Sequence, residues 1–170
     1  MNRRVVSIGL IVLGLVLVFV SVLFSVNNRE EQDFPAIRLP EQLAGLFRYS
    51  MVTGPQALDE ISFMHGKEFE LMSGARGTYG QRGEITVWVS SASSENAANE
   101  LVEEMTNKIG EGNSPFLPIG EDLLGERIIH RLEGKGQVHF YFQSGNLVIW
   151  FGVDSELADQ TLVQVLDFYP

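Results

Sequence analysis

The chain has 170 residues, 45% of them hydrophobic, with 12 Lys and Arg against 22 Asp and Glu and no cysteine. This length suits one or at most two compact domains, and the missing cysteine excludes disulfides, thiolate metal sites and a lipid-modified cysteine. Only two basic residues precede residue 27, so the remainder has 10 basic and 22 acidic residues and a net charge of about −12. Such a field repels nucleic acid and anionic lipid headgroups, so we expect no nucleic-acid partner.

The first element in chain order is an uncharged apolar run of 22 residues, Val5 to Val26. As a helix it would span about 33 Å, enough to cross a hydrocarbon core of about 30 Å. A cleaved signal peptide is the alternative, but its apolar region is normally about 7–15 residues long and ends at a small-x-small site, whereas this run ends FSVNN. Two arginines precede the run and an acid-rich segment follows it. We therefore predict a single-pass anchor over 5–26 in the cell membrane, a cytoplasmic tip at 1–4 and an extracytoplasmic remainder.

Small residues recur along one side of the predicted span, since Ser7, Gly14 and Ser21 are seven residues apart. This stripe would allow a second membrane helix to approach closely. The alternative is that Gly and Ser are ordinary residues of membrane helices.

Residues 27–40 read NNREEQDFPAIRLP and combine charges with two prolines, without apolar periodicity. This composition predicts an extended stalk, so that the folded domain covers 41–170. At the start of that domain, Pro40 is placed to open a short helix that Gly45 ends.

Three helices are predicted in the domain from capping residues and apolar periodicity. The first covers 55–65, where a proline follows a threonine cap and a glycine comes next. The second begins after the serine pair 93–94 and ends at Gly110, and it has the clearest apolar face. The third follows 154–155 and stops before Pro170.

Between the helices, alternating β-branched and aromatic residues predict six strands, at 46–52, 69–79, 84–90, 126–132, 137–143 and 147–153. A Ser-Gly-Asn turn joins the last two as a hairpin, and residues 111–125 are predicted to be a long loop. The order β-α-β-β-α-β-β-β-α predicts an α+β domain, with an antiparallel or mixed sheet and helices on one face.

An internal repeat emerges when the chain is aligned with itself at an offset of 62 residues. Tyr, Gln, Gly and Trp at 79, 81, 83 and 88 then meet the same residue types at 141, 143, 145 and 150. Chance and shared hairpin composition are the alternative, but they rarely bring both tryptophans of a two-tryptophan chain into register. We therefore predict two pseudo-repeated β-β-α units.

Strand alternation places Ile85, Val87 and Val89 on the face where helices would pack. The opposite face is aromatic and hydrogen-bonding, and its candidate binding residues are Tyr79, Gln81, Trp88, His139, Tyr141, Gln143 and Trp150. This face is either a platform for a protein, peptide or sugar, because aromatic rings offer a large contact area, or a second small core. The stalk, residues 41–50 or the 111–125 loop would cover such a core.

Motifs that indicate chemistry are sparse. The three histidines lack a second ligand at metal-type spacing, and the sequence has no nucleophile elbow and no phosphate-binding loop. We therefore predict no catalytic residue, metal or cofactor, and expect a noncatalytic, membrane-anchored binding or accessory module for another envelope or membrane protein. The alternatives are a small-ligand or glycan-binding domain that uses the aromatic face, and an enzyme of unrecognised type.

Overall fold

The structure is a computed structural model that describes residues 36–65, 70–112, 114–125 and 127–170. The predicted cytoplasmic tip, the transmembrane anchor and the stripe of Ser7, Gly14 and Ser21 lie outside these residues, as does the predicted stalk up to residue 35. In the part of the chain that the structure describes, no helix is long and apolar enough to cross a membrane.

An antiparallel sheet of eight strands dominates the described residues and confirms the predicted α+β class. The strands are β1 (Gln42–Leu43), β2 (Leu46–Thr53), β3 (Leu71–Tyr79), β4 (Ile85–Ala92), β5 (Leu117–Leu124), β6 (Arg127–Gly134), β7 (Gln137–Ser144) and β8 (Leu147–Val153). Their order across the sheet is β1-β2-β3-β4-β8-β7-β6-β5. The chain therefore fills one half from the β1 edge inward to β4, crosses to the opposite edge, and fills the other half from β5 inward to β8.

The helices of the described residues are α1 (Pro55–His65), α2 (Glu95–Gly110) and α3 (Ala158–Phe168), the last preceded by a 3-10 turn at Ser155–Leu157. Their bounds follow the predicted capping signals closely. Before α2, the Ser94 side chain accepts a hydrogen bond from the Ala97 backbone N–H at 3.1 Å. This bond satisfies one of the backbone amides that the first helical turn leaves without a partner.

Both faces of the sheet are covered, so the prediction of helices on one face only is wrong. On one face α3 packs into a core with Phe140 and Phe151, whereas on the other α2 packs into a core with Tyr141 and Val148. Neighbouring residues of a strand point to opposite faces, so Phe140 and Tyr141 belong to different layers. Alternation misled the prediction because the inner strands are apolar on both faces.

We call the face that bears Trp88, Trp150 and Tyr141 the tryptophan face. α1 lies on this side as well, because the missing side chain of Gly74 leaves room for Leu58 and Ile61 of the helix. The opposite face holds α3 and the residues that alternation assigned to the core, including Val87 and Val89.

Pro40 does not begin a helix, contrary to the prediction. Leu43 pairs with Leu46, and the two residues between them, Ala44 and Gly45, have φ angles of 48° and 80°. Two successive positive φ angles form the tight turn whose twist suits a β-hairpin, so the chain folds back as β1 and β2.

Residues 36–40, which we call the N-terminal strap, belong to the folded domain and not to a separate stalk. Their backbone is neither helix nor strand, as expected for a stalk, but Ile37 and Leu39 are buried in the core that α3 covers. Hydrogen bonds of 2.8 to 2.9 Å reach the backbone carbonyls of the strap from the side chains of Arg48, Tyr79 and Tyr169. The domain boundary predicted at residue 41 is therefore too late.

Part of the predicted loop at 111–125 is the edge strand β5. Its sequence, LPIGEDLL, contains proline, glycine and two acids, all poor strand formers, so propensity gave no signal for it. Pairing with β6 supplies the strand geometry instead. All eight residues of β5 are exposed.

The two predicted β-β-α units are not equivalent in the fold. Trp88 and Trp150 are direct cross-strand partners on β4 and β8, and so share a face as the repeat predicts. The helices that follow these strands diverge, however, because α2 covers the tryptophan face and α3 the opposite one. The predicted repeat of two β-β-α units is therefore supported only by the shared face of the two tryptophans.

Candidate functional site

A row of polar and aromatic side chains crosses the tryptophan face perpendicular to the strands. Cross-strand partners share a face, and successive partners from β5 to β3 are Glu121, His130, Tyr141, Trp150, Trp88 and Arg76. At the β3 end, Arg76 Nε contacts Glu60 Oε2 of α1 at 2.6 Å. The strand register thus unites residues of six strands that are scattered in the sequence.

The rings in the β6–β8 part of this row are stacked. The Tyr141 ring lies 5.2 Å from the Trp150 ring with an interplanar angle of 12°, and 4.4 Å from the His130 ring with an angle of 8°. His130 Nδ1 lies 2.9 Å from Glu121 Oε1, so the row ends at β5 on an imidazole–carboxylate contact. Stacking of this kind fixes the ring planes.

α2 covers the row at Tyr141. The Thr106 hydroxyl donates to the Val102 carbonyl at 2.8 Å, so the Tyr141 hydroxyl, 3.0 Å from Thr106 Oγ1, is the donor of the second bond. Burial raises the pKa of Tyr141 and keeps it a donor at neutral pH. This part of the face is therefore a second core, with α2 and not the stalk as its main cover.

His139 is held neutral inside that second core. The Trp150 indole N–H donates to His139 Nδ1 at 3.2 Å, so His139 Nε2 carries the proton and donates to the Gly134 carbonyl at 3.1 Å. Phe116 packs edge-on against His139 and Trp150, with ring centroids 4.6 and 5.1 Å away. Burial lowers the pKa of His139, and the charge of Lys135 adds to the effect. Both ring nitrogens form hydrogen bonds within the domain, so His139 has a structural role in this core.

Tyr79 lies on the face opposite the one predicted. Five residues join Tyr79 to its partner Ile85, but only two join Ser144 to its partner Leu147 in the other hairpin. An odd difference in turn length moves aligned residues to opposite faces, which separates Tyr79 from Tyr141. Burial raises the pKa of Tyr79 to about 12, so its hydroxyl stays protonated and donates to the strap.

The remaining predicted site residues are also dispersed. Gln81 is exposed in the β3–β4 turn, outside the sheet face, and Trp88 is half-buried in the row between Trp150 and Arg76. Gln143 is fixed by its amide, which donates to the carbonyls of Glu95 and Gly145 at 2.8 and 2.9 Å. The seven candidates therefore do not form one site.

An open groove of about 720 Å³ lies beside the row. It is bounded by α2, by the turn end of the β5–β6 hairpin and by the β7–β8 turn. Its lining mixes hydrogen-bonding and apolar side chains, among them Thr106, Asn107, Arg127, Ile128, His130 and Gln143. Pockets of roughly 300–1,000 Å³ hold small ligands in many proteins. Of these lining residues, sequence reasoning named only Gln143. The strand register that places His130 beside Tyr141 cannot be read from the sequence.

The β5 surface, the second feature that sequence reasoning missed, consists of exposed apolar side chains on β5 and the start of β6. Its members and their exposed fractions are Leu117 (67%), Ile119 (50%), Leu123 (73%), Leu124 (57%) and Ile128 (50%). β5 is paired only with β6, so this surface follows an open edge of the sheet. Four of the five lie in the segment predicted to be a loop. Single apolar residues in a loop are not a sign of a binding surface, so sequence reasoning did not single them out.

Within the residues that the structure describes, no group of three or more His, Asp or Glu side chains is arranged to hold a metal ion. Comparison with protein-family models, with curated proteins and with solved structures finds no match to this chain.

Proposed function

We propose that the chain is a single-pass, membrane-anchored extracytoplasmic module that performs no catalysis and binds another envelope or membrane protein. The anchor is proposed from the apolar run 5–26 and the two arginines before it. The binding role is proposed from the β5 surface.

The β5 surface supports a protein partner because of how its apolar residues are distributed. Contiguous exposed apolar patches are uncommon on monomeric domains and mark interaction sites more often than single exposed residues do. Here five large apolar residues follow one hairpin at the sheet edge: Leu123 and Ile128 are partners on the tryptophan face, whereas Leu117 and Leu124 lie on the opposite face. An apolar side chain is therefore exposed on both faces of this edge. An extended edge of this kind matches a partner protein better than a small molecule.

A small-ligand or glycan-binding role is the second candidate, and the groove beside α2 favours it. The groove has a suitable volume, and Thr106, His130 and Gln143 line it with hydrogen-bonding groups. The rings of Tyr141 and Trp150 contribute less than expected, because α2 and Phe116 pack against them.

The test is photo-crosslinking of the full chain in native membranes. A photoreactive amino acid replaces Ile119 on β5 in one variant and Gln160, exposed on α3, in a matched control. A discrete protein adduct that forms from position 119 and not from position 160 supports the protein-binding role. Identical adduct patterns from both positions, or none from 119, would contradict it. For the second candidate, a photoreactive residue at Asn107 in the groove should instead trap a small molecule.

A further inference from the structure

We infer that β5 accepts an extended segment of the partner as a ninth strand of the sheet, and that this segment presents apolar and basic side chains. This inference rests on the proposed function and specifies how the β5 surface binds. Its basis is the open backbone of β5 and the charge of the residues along it.

The backbone argument starts from the position of β5 at the end of the sheet. β5 pairs with β6 on one side only, so about half of its N–H and C=O groups point away from the sheet. The register is interrupted between Pro118 and Gly120, which leaves Gly120–Leu124 as the regular stretch. An added strand of about five residues would satisfy these backbone groups, as in other cases of strand addition.

The usual protections of a sheet edge are only partial at β5. Natural edge strands are commonly short, covered, charged, bulged or marked by proline. Pro118 and the register break beside it protect the first part of β5, whereas Gly120–Leu124 has neither and is marked only by two acidic residues. At the other edge, the two-residue strand β1 covers the start of β2, and the Arg48 N–H donates to the Glu41 carbonyl there. The following stretch 49–53 is not covered by β1 and has no charged residue, so it lacks the acidic pair that β5 presents.

The charge argument identifies the chemistry of the added strand. The only charged residues of β5 are Glu121 and Asp122, at its centre, with side chains 60% and 53% exposed. On the β6 side Glu121 contacts His130 at 2.9 Å and Asp122 contacts Arg131 at 3.6 Å, so a partner strand would add a cation on the open side of each acid. Opposite charges on cross-strand neighbours are favourable and like charges are unfavourable. Residues 27–170 also have a net charge of about −12. A partner strand with Lys or Arg opposite these acids, and apolar residues beside Leu123, fits both features.

The same charges disfavour two other occupants. Antiparallel pairing of β5 with β5 of a second copy brings Glu121 and Asp122 of both copies together near the centre of the overlap. The segment NNREEQD before the strap is itself acid-rich, so it would also place carboxylates against them. A basic segment of another protein avoids this repulsion.

A defined peptide tests the inference without knowledge of the natural partner. The probe is a dye-labelled peptide of alternating lysine and valine, and its binding to the full chain in neutral phosphatidylcholine nanodiscs is followed by fluorescence anisotropy. We expect saturable binding that Leu123→Lys weakens at least tenfold, because the lysine repels the peptide at the edge. Val163→Lys is the matched control, since Val163 is 59% exposed on α3, and its binding should stay within about twofold of wild type.

Backbone methylation of the peptide separates strand addition from charge attraction. N-methyl groups on alternate residues block hydrogen bonds along one edge of an extended peptide, and only one edge faces β5. Two methylated peptides are compared, each with N-methyl groups along a different edge. One should bind like the parent peptide, and the other should not bind. Equal binding of both, absence of saturable binding, or equal loss in Leu123→Lys and Val163→Lys would overturn the inference.

Two outcomes distinguish this inference from the proposed function. A concentration-dependent dimer of the full chain that Leu123→Lys abolishes would assign the edge to a second copy and overturn the partner strand. A discrete protein adduct from position 119, together with failure of the peptide, would leave protein binding in place and reject strand addition as its mode.

Discussion

Replacement of Gly152 by alanine should destabilise the domain strongly, because a Cβ at this position has no space. It would lie 2.6 Å from His139 Cε1, 2.8 Å from His139 Nδ1 and 3.0 Å from Gln137 Oε1. His139 is only 4% exposed, so its ring cannot move into solvent without opening the core. Any shift of the ring also weakens the bond that Trp150 donates to Nδ1.

The size of the effect follows from these two losses. Overpacking a filled core costs about 1–3 kcal/mol, and loss of one buried hydrogen bond costs about 1 kcal/mol. The free energy of unfolding of Gly152→Ala should therefore fall by about 2–4 kcal/mol. With a urea m-value of about 2 kcal/mol/M, the midpoint of unfolding should fall by about 1–2 M.

The assay is urea unfolding followed by tryptophan fluorescence, with Gly110→Ala as the control. Gly110 lies at the end of α2 with nothing within 4 Å of the added Cβ, so this change should alter stability by less than about 1 kcal/mol. The double variant Gly152→Ala/His139→Ala should be less destabilised than the sum of the single changes, because removal of the ring relieves the clash. Equal stability of Gly152→Ala and Gly110→Ala would refute the reasoning.

Acidification below pH about 6.5 should lower the free energy of unfolding, because burial lowers the pKa of His139 and the unfolded chain therefore protonates this imidazole first. Urea titrations from pH 7.5 to 5 should show a smaller decrease in this free energy for His139→Asn than for the wild type. An equal decrease would disprove the assignment of the effect to His139. Ser94→Ala should cost about 1 kcal/mol through loss of the α2 cap, while the same change at its exposed neighbour Ser93 should cost little; equal effects in thermal melts would argue against the cap. Tyr141→Phe should also cost about 1 kcal/mol, since only the bond to Thr106 is removed, and a neutral result would mean that water replaces it.

The helices were predictable because their signals are local. Ser94 caps α2 through its own side chain, and Pro55 opens α1, so residues within one turn decide where each helix begins. The inner strands were predictable for a similar reason, since runs such as Leu147–Val153 combine strand propensity with a turn signal beside them.

The faces of the sheet and its edge strands depend on distant residues, so sequence patterns did not reveal them. Tyr79 was assigned to the wrong face because the length of a turn, not the strand itself, sets the parity of the register. β5 has no propensity of its own and exists through pairing with β6. The contact between His130 and Tyr141 depends on the pairing of β6 with β7, so the sequence did not indicate the groove.

The attachment of the N-terminal strap has a mechanical consequence. Arg48 on β2, Tyr79 on β3 and Tyr169 beyond α3 all bind backbone carbonyls of the strap, and two of its side chains are buried beneath α3. A pull on the chain from the residues before the strap is therefore distributed over two strands and the C-terminal segment. It loads these bonds and the buried side chains of the strap together. Tension on this side of the domain would be resisted by its core, and the identity of the exposed side chain at position 38 would matter little to that resistance.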